Sequence, residues 1–129
     1  MLDAKYQELL SQPNNAIIAV NRPSGGPQLT PVWYLWDGEA FYFSTTRDRA
    51  KYTNIQRDPA ISLIVDDLVG HKYISAYGQA EVLEQPPVDI VRKLISKYVS
   101  AEQVDQLVQA SIVPPRILVK LHPDKIVAR

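Results

Sequence analysis

The 129-residue chain contains no cysteine. That absence excludes disulfides, thiolate metal sites and cysteine nucleophiles together. Histidine is scarce as well. His71 and His122 are the only two; they lie far apart, without the helical spacing or acidic companion of a metal motif, so they read as surface or loop residues and no metal site is expected. Nor is there an excess of charge of either sign, since Lys+Arg and Asp+Glu both number 14. This balance argues against nucleic acid or an acidic membrane as partner, each of which calls for a basic surplus. No stretch is apolar for long enough to cross a bilayer, and the start Met1-Leu2-Asp3-Ala4-Lys5-Tyr6 lacks a basic region followed by an apolar run. The chain therefore reads as cytoplasmic, without a membrane partner.

What is present fits one domain over residues 1–129. The chain is too short for two typical domains, and its 46% hydrophobic content suffices for one core. No repeat, linker or low-complexity segment interrupts it.

Asp3 is placed to cap a short helix with Tyr6, Leu9 and Leu10 on one face, stopped by Pro13, Asn14 and Asn15 and expected to plug one end of a barrel. Ala16 to Val20 reads as a strand, and the Pro and Gly content of Arg22 to Pro27 as a turn. A second strand is expected over Gln28 to Trp36. Its one face carries Thr30, Val32, Tyr34 and Trp36, its other Leu29, Pro31, Trp33 and Leu35. Asp37-Gly38 signals a hairpin into a strand from Ala40 to Thr45. Pro31 removes a ladder donor, so its strand should be at an edge, bulged, or beside something other than a strand, such as a ligand.

A basic segment then leads into a helix stopped by Asp58-Pro59. Ile61 to Val65 forms a buried strand, Asp66 to Gly70 a loop, and Lys72 to Leu83 a long strand in which Gly78 marks a bulge or corner. After Pro86-Pro87 a helix presents Val88, Val91, Leu94, Ile95 and Tyr98 on one face. Ser100 and Gln103 have capping-box spacing at the start of another, with Val104, Leu107 and Val108 inward. Ile117 to Leu121 is a last core strand, and Lys125 to Ala128 is expected to pair briefly. Hairpin-linked strands with inserted helices predict an α+β domain built on a small, mainly antiparallel barrel.

The stretch from Phe41 to Pro59 carries the chemistry. An aromatic strand ends in Ser44, Thr45 and Thr46, and Arg47, Arg49 and Lys51 follow at the entry to a helix. The first N–H groups of a helix lack partners and its dipole is positive there, so hydroxyls and cations at this junction suit an anion, phosphate above all. A solvated helix face is the bland alternative. The neighbouring Pro31-Val32-Trp33-Tyr34 segment favours the functional reading, because a planar cofactor needs an apolar or aromatic wall while its phosphate needs cations and hydroxyls. Trp33 and Trp36 fall on opposite strand faces, so they should not share one environment; core packing is the commoner fate of either, and Trp33 is the better candidate for that wall. Ser24-Gly25-Gly26 lacks the Gly-Lys-Ser/Thr ending of a phosphate loop and reads as a turn; Asp66 and Asp67 face no opposing carboxylate. No hydrolase constellation is present. Tyr73 and Tyr77 share a strand face and suit a core or a subunit interface better than stacking on bases.

The pattern Gln28-Leu29-Thr30-Pro31-Val32-Trp33-Tyr34, then Phe41-Tyr42-Phe43-Ser44-Thr45-Thr46, then Arg49-Ala50-Lys51 and Asn54-Ile55-Gln56-Arg57-Asp58-Pro59 resembles the pyridoxamine 5′-phosphate oxidase-like family. It is similar in particular to the small oxidoreductases of that superfamily that use FMN or coenzyme F420. The resemblance implies a split β-barrel of the FMN-binding type with helices covering the barrel ends, and a homodimer holding two cofactors in grooves between subunits. It implies that Arg49, Lys51, Thr45 and Thr46 hold the cofactor phosphate. It implies too that Pro31, Val32 and Trp33 lie along the flavin or deazaflavin ring, with the backbone of Val32 and Trp33 in contact with it. True pyridoxamine 5′-phosphate oxidases are longer and carry a C-terminal segment that grips substrate phosphate through Arg and His; here the sequence stops at Arg129 soon after His122, so vitamin B6 oxidation is not expected. The expectation is hydride transfer to a small-molecule substrate that the sequence does not name, with a non-catalytic flavin, deazaflavin or tetrapyrrole carrier as the alternative. For the oligoglutamate tail of F420, Arg22 and Arg57 are the candidate extra cations.

Overall fold

A computed structural model describes residues 2–129. In chain order it contains α1 (Ala4–Ser11), β1 (Ala16–Val20), β2 (Gln28–Val32), β3 (Leu35–Trp36), β4 (Phe41–Thr46), α2 (Ala50–Arg57), β5 (Ala60–Asp67), β6 (Lys72–Leu83), α3 (Val88–Ser96), α4 (Ala101–Ser111) and β7 (Arg116–Ala128). The strands form one antiparallel sheet in the order β2-β1-β5-β6-β7-β4-β3. Its outermost members, β2 and β3, are joined by only Trp33 and Tyr34. From Val32 to Leu35 the chain reaches at most about 11 Å. The two edges therefore adjoin, and the sheet curls almost into a closed barrel, the split-barrel architecture. Trp33-Tyr34 is its seam.

The single strand expected over Gln28 to Trp36 is thus two strands. The inside–outside alternation continues through the break: Thr30, Val32 and Trp36 are half-buried and Tyr34 fully buried, while Leu29, Pro31 and Trp33 face outward. The pattern of side chains stays regular, but the neighbours change from β1 to β4. Pro31 pairs with Ile17 on the edge strand β2, where its missing donor costs least.

Inside the curl lies one core, in which Tyr34, Phe41, Phe43, Ile18, Ile74, Ile117 and Leu121 are almost wholly buried, plugged by Tyr6, Leu9 and Leu10 of α1. Outside it, α3 and α4 pack Val91, Leu94, Ile95, Val104 and Val108 against Tyr42 and Leu118 of β4 and β7. Adjacent residues of β4 point to opposite faces, so Phe41 and Phe43 serve the inner core while Tyr42 serves the outer. Val88, expected on the buried face of α3, is 48% exposed at the first position of the helix. Neither Asp3 nor Ser100 makes a side-chain capping bond. The Asp3 carbonyl instead accepts from the N–H groups of Tyr6 and Gln7, and the Ser100 carbonyl from that of Gln103.

The final strand is continuous over 13 residues rather than broken into two pieces. Pro123, which would ordinarily interrupt a ladder, pairs opposite Gly78 where the β6–β7 register shifts. The irregularity expected at Gly78 is present as this register shift, but the extra residue, Asp124, lies on β7, next to the proline. Asp66 and Asp67, expected in a loop, end β5 instead. Asp67 bonds the Lys72 ammonium at 2.8 Å across the turn to β6. The turn itself is Leu68 to His71, with His71 in the left-handed region at φ 54°.

Candidate functional site

The end of β4, the entry to α2, the outer strand β2 and the helix pair α3–α4 enclose a half-open cavity of about 390 Å³. Volumes of roughly 300–1,000 Å³ are typical of sites for cofactors and other small molecules. The seven residues assigned to the cofactor line it: Pro31, Val32 and Trp33 on one side, Thr45, Thr46, Arg49 and Lys51 on another. Segments of β2, the first strand in ladder order, and of β4, the last but one, thereby share one space.

Local structure explains the basic end. Arg49 occupies the N-cap position of α2 and provides no side-chain acceptor, which leaves the first N–H groups of the helix without a capping partner. Lys51, in the first turn, is 8% exposed. Burial, and then the charge of Arg49, push its ammonium below the usual lysine range, so the bare site is short of negative charge. Thr45 is buried, and Thr46 is half-buried with its hydroxyl bonded to the Asp48 carboxylate. That bond occupies one of the two expected hydroxyl donors.

Arg47 belongs elsewhere. Its guanidinium holds Glu84 at 2.8 Å, and the Tyr52 hydroxyl donates to the other oxygen of the same carboxylate at 3.1 Å. Arg22 and Arg57, the candidates for a tail-binding role, are also engaged away from the cavity. Arg22 bonds the Gly26 carbonyl, and Arg57 bonds the Asn54 side chain and the Asn21 carbonyl.

Sequence reading missed Arg116. This first residue of β7 pairs with Thr46, lines the cavity and places Nη1 3.4 Å from Ser44 Oγ. Its arrival depends on strand pairing across 72 residues, and an arginine after Pro114-Pro115 carries no local signal of it. The helix pair was also missed as a wall: Leu94, Ile95, Leu107 and Ser111 complete the lining.

The aromatic side is held at the seam. Trp33 is 44% exposed and stacks on Tyr98, ring centroids 4.6 Å apart and planes parallel. Trp36 packs against Phe41 at 4.5 Å, at the rim of the inner core. The two tryptophans therefore face different environments, as strand alternation requires.

Three cations, several hydroxyls and an apolar wall with one indole meet in this cavity, and among the described residues no carboxylate lines it. That donor set fits a planar ring system carrying a phosphate. Among the described residues the cavity lining includes no histidine. His71 and His122 lie outside it, His122 paired with Glu81 at 2.7 Å. Among the described residues no group of three potential metal ligands gathers, and no helix is long and apolar enough to cross a membrane.

Residues 2–129 match the family model described as pyridoxamine 5′-phosphate oxidase. Among solved structures, an F420 reductase is 27% identical, with 98% of each chain covered and a TM-score of 0.77. A conserved hypothetical protein from Mycobacterium tuberculosis is 22% identical over 99% of this chain and 84% of its own, with a TM-score of 0.78. General Stress Protein 26 from Bacillus anthracis is 18% identical over 96% of this chain and 90% of its own, with a TM-score of 0.70. The latter two likenesses are of fold.

Proposed function

We propose, from the premise that this chain belongs to the pyridoxamine 5′-phosphate oxidase family, that it is an oxidoreductase using FMN or coenzyme F420 to transfer a hydride to a small molecule. The observation that carries this reading is the convergence of Pro31, Val32 and Trp33 with Arg49, Lys51 and Thr45 around one carboxylate-free cavity. In it, Arg49, Lys51 and the open N–H groups of α2 hold the phosphate by charge-assisted hydrogen bonds. Thr45 and Thr46 border that grip. Pro31, Val32 and Trp33 present backbone and an apolar surface to the ring, and Leu94, Ile95 and Leu107 keep water from the opposite side. The cofactor supplies the hydride chemistry; these residues bind and orient it. The 27% identity to an F420 reductase over nearly the whole chain supports the deazaflavin option.

The same reading includes a homodimer that completes the site. Register places Leu29, Ala19, Ser62 and Tyr77 in one row and Pro31, Ile17 and Ile64 in the next, all on the outward face of the sheet. Leu29, Ile17, Ile64 and Tyr77 are exposed there. Such a patch on a sheet face is the kind of surface a partner covers. It runs directly into Pro31 at the open side of the cavity, so a second copy seated on it would roof the ring.

The test is an absorption spectrum and mass measurement of whatever copurifies, followed by titration with FMN and with F420 and by turnover of the reduced cofactor with added acceptors. Saturable binding together with acceptor-dependent reoxidation supports the enzyme. Binding without turnover across a broad acceptor panel supports a carrier instead, and binding of neither cofactor overturns the reading.

A further inference from the structure

Trp33 and Tyr34 belong to no strand, although the sheet closes across them. A buried backbone still needs hydrogen-bond partners. Side chains supply them here. The Tyr34 N–H donates to the Tyr98 hydroxyl oxygen at 3.0 Å, and that hydroxyl donates to the Asn14 carbonyl at 2.7 Å. The Lys97 ammonium donates to the Tyr34 carbonyl at 3.0 Å, and the Tyr34 hydroxyl donates to Asn14 Oδ1 at 2.7 Å. Tyr98 thus grips the backbone after Trp33 with its hydroxyl while its ring lies flat on the indole itself.

We propose that Tyr98 is the positioning residue of the aromatic wall, holding the Trp33 indole and the Tyr34 backbone in one place so that a planar ring meets a preformed surface. The inference rests on the reading that the ring lies along Pro31 to Trp33. An indole as exposed as Trp33 would otherwise sample several rotamers, and ordering it at the moment of binding would weaken affinity. Stacking on Tyr98 orders it beforehand. Tyr98 itself is held, because its hydroxyl has both a donor and an acceptor and its N–H donates to the Ile95 carbonyl in the last turn of α3, whose Leu94 and Ile95 line the same cavity. Its phenol is bonded at the seam, which fits a positioning role and not an acid.

Trp33 and Trp36 are the only tryptophans, so a Trp36→Phe background reports on Trp33 alone. In that background Tyr98→Leu removes stack and hydroxyl together. Emission from Trp33 should shift to the red, its quenching by acrylamide should rise several-fold, and affinity for FMN and F420 should fall several-fold. Tyr98→Phe keeps the stack and should keep the Trp33 emission, while hydrogen exchange at the Tyr34 amide accelerates and cofactor affinity falls less. Unchanged Trp33 quenching in Tyr98→Leu overturns the proposal. Should that variant fail to fold, unchanged Tyr34 exchange in Tyr98→Phe overturns it equally. Trp33→Ala separates this inference from the reading beneath it: if cofactor affinity there equals that of the parent, the ring does not use this wall and both fail.

Discussion

Arg116 and Ser44, 72 residues apart in sequence, meet across the β4–β7 ladder with Nη1 3.4 Å from Oγ. Both are half-buried, both line the cavity, and Arg116 makes no ion pair among the described residues. A guanidinium placed so, beside Thr46 and near the entry to α2, is a third cation for the anion that Arg49 and Lys51 attract.

Arg116→Gln should therefore weaken binding of a ligand that carries a phosphate and spare one that does not. A charge-assisted contact is worth about 1.5–3 kcal/mol, roughly ten- to hundredfold in affinity. Isothermal titration with FMN and with riboflavin measures the difference. An equal loss for both ligands would mean that the substitution disturbs the cavity as a whole and that Arg116 does not read the phosphate.

Lys51 predicts a pH dependence. Its ammonium is held below the ordinary 10.5 by burial and by Arg49. A bound phosphate raises it again, so binding takes up a proton at alkaline pH. Affinity for FMN should be flat near neutrality and fall as pH rises through the depressed value, earlier than an ordinary lysine would allow. Lys51→Ala should lower affinity by about tenfold or more at pH 7 and flatten the alkaline limb. A limb of unchanged slope in that variant would assign the titration to another group.

Much of this site was legible because its determinants are local. Hydroxyls and cations at a strand-to-helix junction, and a proline in an aromatic strand, are each visible within ten residues. The irregularity opposite Gly78 was legible for the same reason, although its extra residue, Asp124, sits on the partner strand. What was not legible is which strand lies beside which. Alternation runs unbroken through Trp33 and Tyr34, so nothing in the residues themselves reveals that β2 pairs with β1 while β3 pairs with β4. Arg116 and the α3–α4 wall follow from such pairings and from tertiary packing. Arg47 looked equivalent to Arg49 until Glu84, 37 residues on, claimed it.

Gly78 is a point where backbone meets backbone. A Cβ there would lie 1.9 Å from the His122 carbonyl oxygen, with no flexible side chain to yield. Gly78→Ala should destabilise the fold by at least about 3 kcal/mol, because the β6–β7 ladder would have to part. Gly38 makes the comparison. Its φ of +98° strains any side chain, but the space around it is open, so Gly38→Ala should cost about 1 kcal/mol. Urea midpoints for the two variants give the order, and a Gly78→Ala protein as stable as Gly38→Ala would contradict the close approach.

Lys97 sits at the seam with its ammonium 3.4 Å from the centre of the Tyr34 ring and 5.2 Å from that of Tyr98. Burial lowers its pKa from 10.5 to about 8. Between those values the unfolded chain holds a proton that the folded chain has released, so stability rises with pH across that window, by on the order of 1 kcal/mol for a side chain that solvent still partly screens. Tyr34 and Tyr98 act in the opposite sense. Burial raises both, Tyr98 to about 12, so above about pH 10 the unfolded chain loses their protons first and stability falls. Stability should thus climb from pH 8, crest near pH 10 and decline. Lys97→Met should be the more stable protein relative to its own maximum at pH 7 and should lose most of the climb, leaving the smaller rise that the depressed Lys51 contributes, while the decline above pH 10 persists. Urea unfolding at half-unit intervals from pH 7 to 11 follows the whole curve, and a climb undiminished in Lys97→Met would place the titrating group elsewhere than the seam.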